Sequence, residues 1–153
     1  MKEITGKLCA TGMKFALVAS RFNSFLVEQL VKGAEDAFVR LGGKAADLTL
    51  VRVPGAYESP VVAAKLATSG KFDAVVVLGA VIQGATPHAA LINETTARAF
   101  SQLSLDTGTP VLNGIVSADN LEQAVERCGT KQGNKGFAAV QAAVEAVDVL
   151  RQI

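Results

Sequence analysis

"DAVVVLGAVI" (Asp73–Ile82) decides the fold. After the opening acid, no residue of the stretch carries a charge or a polar side chain, and four of them are valine. A strand with one face in water alternates apolar and polar residues. An unbroken apolar run of this length, rich in valine, has both faces covered, which is the profile of an inner strand in a parallel sheet.

Parallel neighbours require long crossovers, usually helical, and the flanking sequence supplies them. Upstream, "KFALVAS" (Lys14–Ser20) and "LTLVRV" (Leu48–Val53) read as strands. Between them, Phe25–Leu41 keeps helical spacing at Leu26, Leu30, Ala34, Ala37, Phe38 and Leu41, and Gly42-Gly43 supplies the stop. Ser59-Pro60 offers an N-cap and a first-turn proline for a second helix ending near Ser69-Gly70.

Downstream, a helix is predicted from His88 to about Leu105, and "PVLNGIV" (Pro110–Val116) reads as a strand. Asp119 with Glu122 has capping-box spacing for a short helix to Arg127. Gly129–Gly136 reads as a polar, glycine-rich loop, and a last helix carries Phe137, Val140, Val144, Val147 and Leu150 on one stripe. Strands alternating with helices imply right-handed crossovers and a parallel sheet covered on both faces. Residues 1–153 form one domain, with no linker or low-complexity segment to divide them. "MKEITGKL" has strand character but no helix behind it, so it is expected to add to a sheet edge, its own or a neighbouring subunit's.

Composition narrows the function. Half of the 153 residues are apolar, 19% are charged, and mean hydropathy is +0.33. No apolar run approaches the roughly 18 residues of a membrane span, so the excess apolar surface is expected to face other subunits. A net charge of +1 without a basic stripe argues against nucleic acid as a partner. Cys9 and Cys128 stand far apart, no signal-peptide pattern opens the chain, and both thiols read as reduced in a cytoplasmic protein. One histidine and two scattered cysteines argue against a zinc site.

Open parallel sheets bind ligands beyond the carboxyl ends of their strands. The residues standing there are Arg21-Phe22-Asn23, then Pro54 to Glu58, then Gly84 to His88, then Asn113 to Ser117. Gly84-Ala85-Thr86 is either a tight turn capped by Thr86 or an anion site at a helix start. His88 lies in a first turn, where the helix dipole disfavours the imidazolium; it is either a surface residue or a general base. Phe22 is a core aromatic or a stacking platform. Tyr57-Glu58 opens a helix or holds ligand hydroxyls. Arg127, Lys131 and Lys135 bracket a loop that is solvated or clamps an anion.

Four segments, "SRFNSF", "VPGAYESP", "LGAVIQGATPH" and "ERCGTKQGNKG", follow one another in the order and spacing of a known family. Over nearly its whole length the chain resembles the 6,7-dimethyl-8-ribityllumazine synthases of riboflavin biosynthesis. The resemblance implies a flavodoxin-like three-layer sandwich that associates into pentamers, with active sites between neighbouring subunits. It implies condensation of 5-amino-6-(D-ribitylamino)uracil with 3,4-dihydroxy-2-butanone 4-phosphate, without metal or organic cofactor. Carried over by motif, Phe22 stacks on the pyrimidine, and Ala56, Tyr57 and Glu58 line the ribityl chain. The backbone of Ala80, Val81 and Ile82 reads the pyrimidine edge, Ala85 and Thr86 hold phosphate, and His88 transfers protons. The adjacent subunit contributes Arg127 to the phosphate, with Lys135 nearby, and Asn113 to the pyrimidine. The short "GTKQGNKGF" loop resembles that of the members forming 60-mer shells.

The chain departs from the family pattern at Gln83, usually arginine, and at Ala89-Ala90-Leu91, usually aromatic–acid–aromatic. It departs again at Asn113, commonly phenylalanine. Three other readings therefore stand beside the synthase: a riboflavin-synthase-type paralogue, a weakly catalytic shell-forming or flavin-binding protein, and a nucleotide-binding module. The last lacks a glycine-rich fingerprint after the first strand.

Overall fold

The computed structural model describes residues 1–130 and 133–153. Its elements follow the expected alternation. Strand β1 (Phe15–Ser20) leads to α1 (Ser24–Arg40), β2 (Leu48–Val53) to α2 (Ser59–Ala67), and β3 (Ala74–Ile82) to α3 (His88–Thr107). Then come β4 (Val111–Ala118), α4 (Leu121–Arg127), the short strands β5 (Cys128–Thr130) and β6 (Gly133–Asn134), and α5 (Lys135–Gln152). Strands β1 to β4 pair in parallel in the order β2-β1-β3-β4.

The unbroken apolar run behaves as its composition requires. Every residue from Ala74 to Ala80 is buried. Because successive side chains alternate across a strand, Val76 and Leu78 pack with Phe38, Val140 and Val144 of α1 and α5. Val75 and Val77 pack on the opposite face, with Ala63 of α2 and Phe100 of α3. Gly114 lets the backbone of β3 come close: a Cβ there would lie 2.7 Å from the Val77 carbonyl oxygen. The close of α1 matches the glycine stop, with Gly42 at φ 94° and the Gly43 amide donating to the Phe38 carbonyl.

Four local expectations need correction. Ser59 is not an N-cap: it is buried in the first turn, and its hydroxyl donates back to the Ala56 carbonyl at 2.6 Å. Strand β4 runs two residues further than "PVLNGIV", so the cap of α4 shifts by one position. Asn120 accepts from the Gln123 amide at 2.9 Å while the Gln123 side chain accepts from the Asp119 amide at 2.9 Å, so the capping side chains are Asn120 and Gln123, not Asp119 and Glu122. The predicted loop Gly129–Gly136 instead contains the antiparallel pair β5–β6, and Gly136 is already in α5. The amino-terminal arm does not join its own sheet. It lies along α5, where the Lys7 amide donates to Asp148 and the Gln152 side chain donates to the Thr5 carbonyl, both at 2.8 Å.

The two thiols differ. Cys128 is buried, and burial pushes its thiol up to about 11. Cys9 is exposed, and hydrogen bonding with Thr11 lowers its thiol below the ordinary value. A disulfide reagent at neutral pH should therefore titrate one thiol in the folded protein and both in denaturant. Two fast-reacting thiols without denaturant would contradict the packing of α4 on the sheet.

Candidate active site at the crossover point of the sheet

The chain leaves β1 toward β2, then crosses to the other side of β1 to form β3. Open α/β sheets bind ligands in the crevice where the winding reverses. A cavity of about 530 Å³ lies there, within the range of small-molecule sites.

Phe22 reaches it because the tips of β1 and β2 are clasped: the Arg21 amide donates to Val53 at 2.8 Å and the Phe22 amide to Pro54 at 3.1 Å. The ring, 72% exposed, stands at the cavity wall instead of entering the core. Asn23, which the sequence places at the tip of β1 without a role of its own, makes the turn into α1. It takes the left-handed conformation at φ 56°, which asparagine tolerates better than most residues. Its side chain donates to the Ala80 carbonyl at 2.9 Å, tying the exit of β1 to the end of β3. An asparagine just before a helical stripe was the available signal.

Ala56, Tyr57 and Glu58 form a single tight turn that also lines the cavity, held by the Ser59–Ala56 bond. Gly55 is part of the design. A Cβ on it would sit 3.1 Å from a Glu58 carboxylate oxygen, so glycine leaves that carboxylate room to fold over the backbone. β3 overruns β1, whose pairing ends at Ala19 with Leu78, while β4 accompanies β3 to Ile82. The β1-side flank of Ala80, Val81 and Ile82 thus has no strand neighbour and borders the cavity.

Gly84, Thr86 and His88 line the remaining side, but Ala85 does not. Thr86 is not a cap: the residue before α3 is Pro87, and no side chain caps this helix. His88 is the first residue of α3, beside amides that a bound anion could engage. Ala89 and Ile92 complete this wall, so small Ala89 widens the cavity where a larger side chain would fill it.

Arg127, Lys135 and Asn113 are not brought into this cavity. Arg127 donates to the Ser117 carbonyl at 2.7 Å, with Lys135 lining the same separate hollow of about 620 Å³. The oxygen of Ala118 accepts from Gln83 on the β3 side, so that of Ser117 points to the outer edge of the sheet. Asn113 is exposed on β4 and accepts from the Ile115 amide at 3.0 Å. Lys131 lies outside the described residues. Among the described residues, ion pairs join Arg40 to Asp36, Arg52 to Glu28, Arg98 to Glu94 and Arg151 to Asp73; neither Arg127 nor Lys135 is in one.

Lys135 is half-buried, and burial together with the neighbouring Arg127 charge lowers its pKa. It also stands at the positive end of α5. A lysine whose pKa falls on folding costs stability while protonated; the cost is full below the folded pKa and fades as pH rises toward the unfolded value. Lys135→Gln should therefore stabilise the fold at neutral pH by about 0.3–1 kcal/mol from the helix dipole alone, and so raise the thermal midpoint. The gain should shrink in alkaline buffer, and calorimetry at two pH values checks it. A lower midpoint at neutral pH would contradict the reading.

The open sheet with its ligand crevice at the winding reversal is the flavodoxin-like α/β arrangement. Within that class the family is specific: residues 12–151 match the 6,7-dimethyl-8-ribityllumazine synthase family, and the chain belongs to it. It is 51% identical over 148 residues to the 6,7-dimethyl-8-ribityllumazine synthase of Syntrophus aciditrophicus, covering 97% of this chain and 96% of that protein. Its identity to the enzyme of that name from Nitratidesulfovibrio vulgaris strain Miyazaki F is 48% over 153 residues, or 100% and 98% of the two chains.

Proposed function

We propose that this chain condenses 5-amino-6-(D-ribitylamino)uracil with 3,4-dihydroxy-2-butanone 4-phosphate to give 6,7-dimethyl-8-ribityllumazine, the penultimate step of riboflavin biosynthesis. The observation that carries the reading is one cavity holding an exposed aromatic, a carboxylate, an uncapped helix start and the chain's only histidine. Neither a riboflavin-synthase-type paralogue nor a non-catalytic shell or flavin carrier is favoured by the full-length similarities.

Phe22 stacks on the pyrimidine, the flank of Ala80 to Ile82 beyond the Asn23 bond to the Ala80 carbonyl pairs with its polar edge, and Glu58 accepts from ribityl hydroxyls beside Ala56 and Tyr57. The amine attacks the ketone, and the imine forms with loss of water. Phosphate then leaves, and ring closure expels a second water. His88 carries protons between these steps. The turn through Ala85 and Thr86 and the amides that open α3 hold the phosphate from one side. A neighbouring subunit brings Arg127 and Lys135 to it and Asn113 to the pyrimidine, in a cytoplasmic pentamer that builds a 60-mer shell. Supporting this, Arg127 points off the outer edge of β4 instead of into its own cavity, and Tyr57 and Leu91 are each 62% exposed. The amino-terminal arm pairs with a neighbour's sheet, where β2 offers an open edge. No helix among the described residues is long and apolar enough to cross a membrane.

Mixing the two substrates with purified protein should give the lumazine's absorbance and one phosphate per product; lumazine consumed as sole substrate would overturn the reading. Sedimentation tests the assembly. His88→Ala should slow turnover by about 10²-fold or less, because proton transfer supplies only part of the acceleration, the rest coming from holding two substrates together. Single-turnover rates check this, and wild-type rates in His88→Ala would remove the histidine from the mechanism.

A further inference from the structure

The turn after β3 is poorly held by packing. Residues 83–88 are all exposed, and a Cβ on Gly84 would meet nothing within 4 Å. What fixes it is one carboxamide: the Gln83 nitrogen donates to the carbonyls of Gly84 and Thr86, each at 3.2 Å. Gly84, Thr86 and His88 line the cavity and Gln83 does not, so the carboxamide stands behind the turn. Within a peptide plane the N–H points opposite to the C=O. Drawing the Gly84 carbonyl toward Gln83 therefore turns the Ala85 N–H to the face of the turn opposite Gln83. The same bonds keep two carbonyl dipoles from facing an incoming anion.

We propose that Gln83 is a positioning residue, whose side chain orients the Gly84–Thr86 backbone as a receptor for the phosphate of the butanone substrate. The inference rests on the reaction proposed above and deepens it. It also predicts that Gln83→Arg preserves the function, since a guanidinium has several donors for the same two carbonyls, whereas Gln83→Ala does not.

Steady-state kinetics with each substrate varied in turn, and inhibition by inorganic phosphate, provide the test. Gln83→Ala should raise the KM for the butanone phosphate and the inhibition constant for phosphate together, by about 3–10-fold, the worth of about one net hydrogen bond. The KM for the pyrimidine amine should not change, and Gln83→Arg should return both phosphate parameters toward wild type. Equal shifts in both KM values, no shift in either, or no recovery in Gln83→Arg would overturn the positioning role. The two failures are separable. Wild-type protein that forms no lumazine removes the reaction itself, while normal wild-type turnover with an indifferent Gln83→Ala removes only Gln83.

Discussion

Arg127→Ala is expected to lower kcat/KM for the butanone phosphate by about 10²–10³-fold, as losing one charge-stabilising donor does elsewhere. The phosphate is both an anchor and a leaving group, so its negative charge must be held in the ground state and as the carbon–oxygen bond breaks. Amides at the start of α3 can do this from one side. A guanidinium with its charge uncompensated by any carboxylate among the described residues does it from the other, and charge-assisted bonds are about twice as strong as neutral ones. The folded chain should not suffer, because Arg127 gives up one bond at the surface, to the Ser117 carbonyl. Rates measured beside a thermal melt check both halves. An Arg127→Ala protein with wild-type kinetics would remove the cation from the site, and one that fails to fold would mean its role is structural.

Phe38→Ala should have the largest effect on stability, about 3–5 kcal/mol. The ring is fully buried in the layer between the sheet and α1, with its centroid 5.0 Å from that of Phe15. The neighbouring backbone has no side chain to spare for the hole: Gly43 lies so close that a Cβ there would fall 2.3 Å from the Phe38 ring. A cavity would remain instead of collapsing. At 2–4 °C per kcal/mol for a chain of this size, the thermal midpoint should drop by roughly 6–20 °C. Calorimetry reads it directly, and a drop of only a degree or two would mean that α1 moves in to fill the space.

The sheet was legible because its signal is dense. A buried inner strand cannot tolerate a charge, so Asp73–Ile82 announces itself, and the helices follow from apolar stripes at Leu26–Phe38 and Val140–Val147. Caps were less legible because rival patterns overlap by a residue. Asp119–Glu122 and Asn120–Gln123 have the same spacing, and only the point where β4 stops paired with β3 chooses between them. Thr86 looked like a cap, yet Pro87 intervenes and Gln83 takes the turn's carbonyls. The β5–β6 pair escaped because two or three residues among glycines carry no period to read.

The site divided along a physical line. Residues at strand tips beside the crevice, Phe22, Glu58 and His88 among them, were placed by topology alone and do line one cavity. Arg127, Lys135 and Asn113 belong to a different part of the surface, and no property of one folded chain joins them to the first group. A ring of identical subunits would, since each copy then presents its cavity to one neighbour and its cations to the other.

The direct test is to co-express His88→Ala with Arg127→Ala and assay the mixed assemblies. If sites are shared across subunit boundaries, random assortment around a closed ring leaves about one site in four with both wild-type halves, and activity should rise well above either mutant alone. If the mixture shows no more than the sum of the two separate mutants, each chain works by itself and the account of a composite site is wrong.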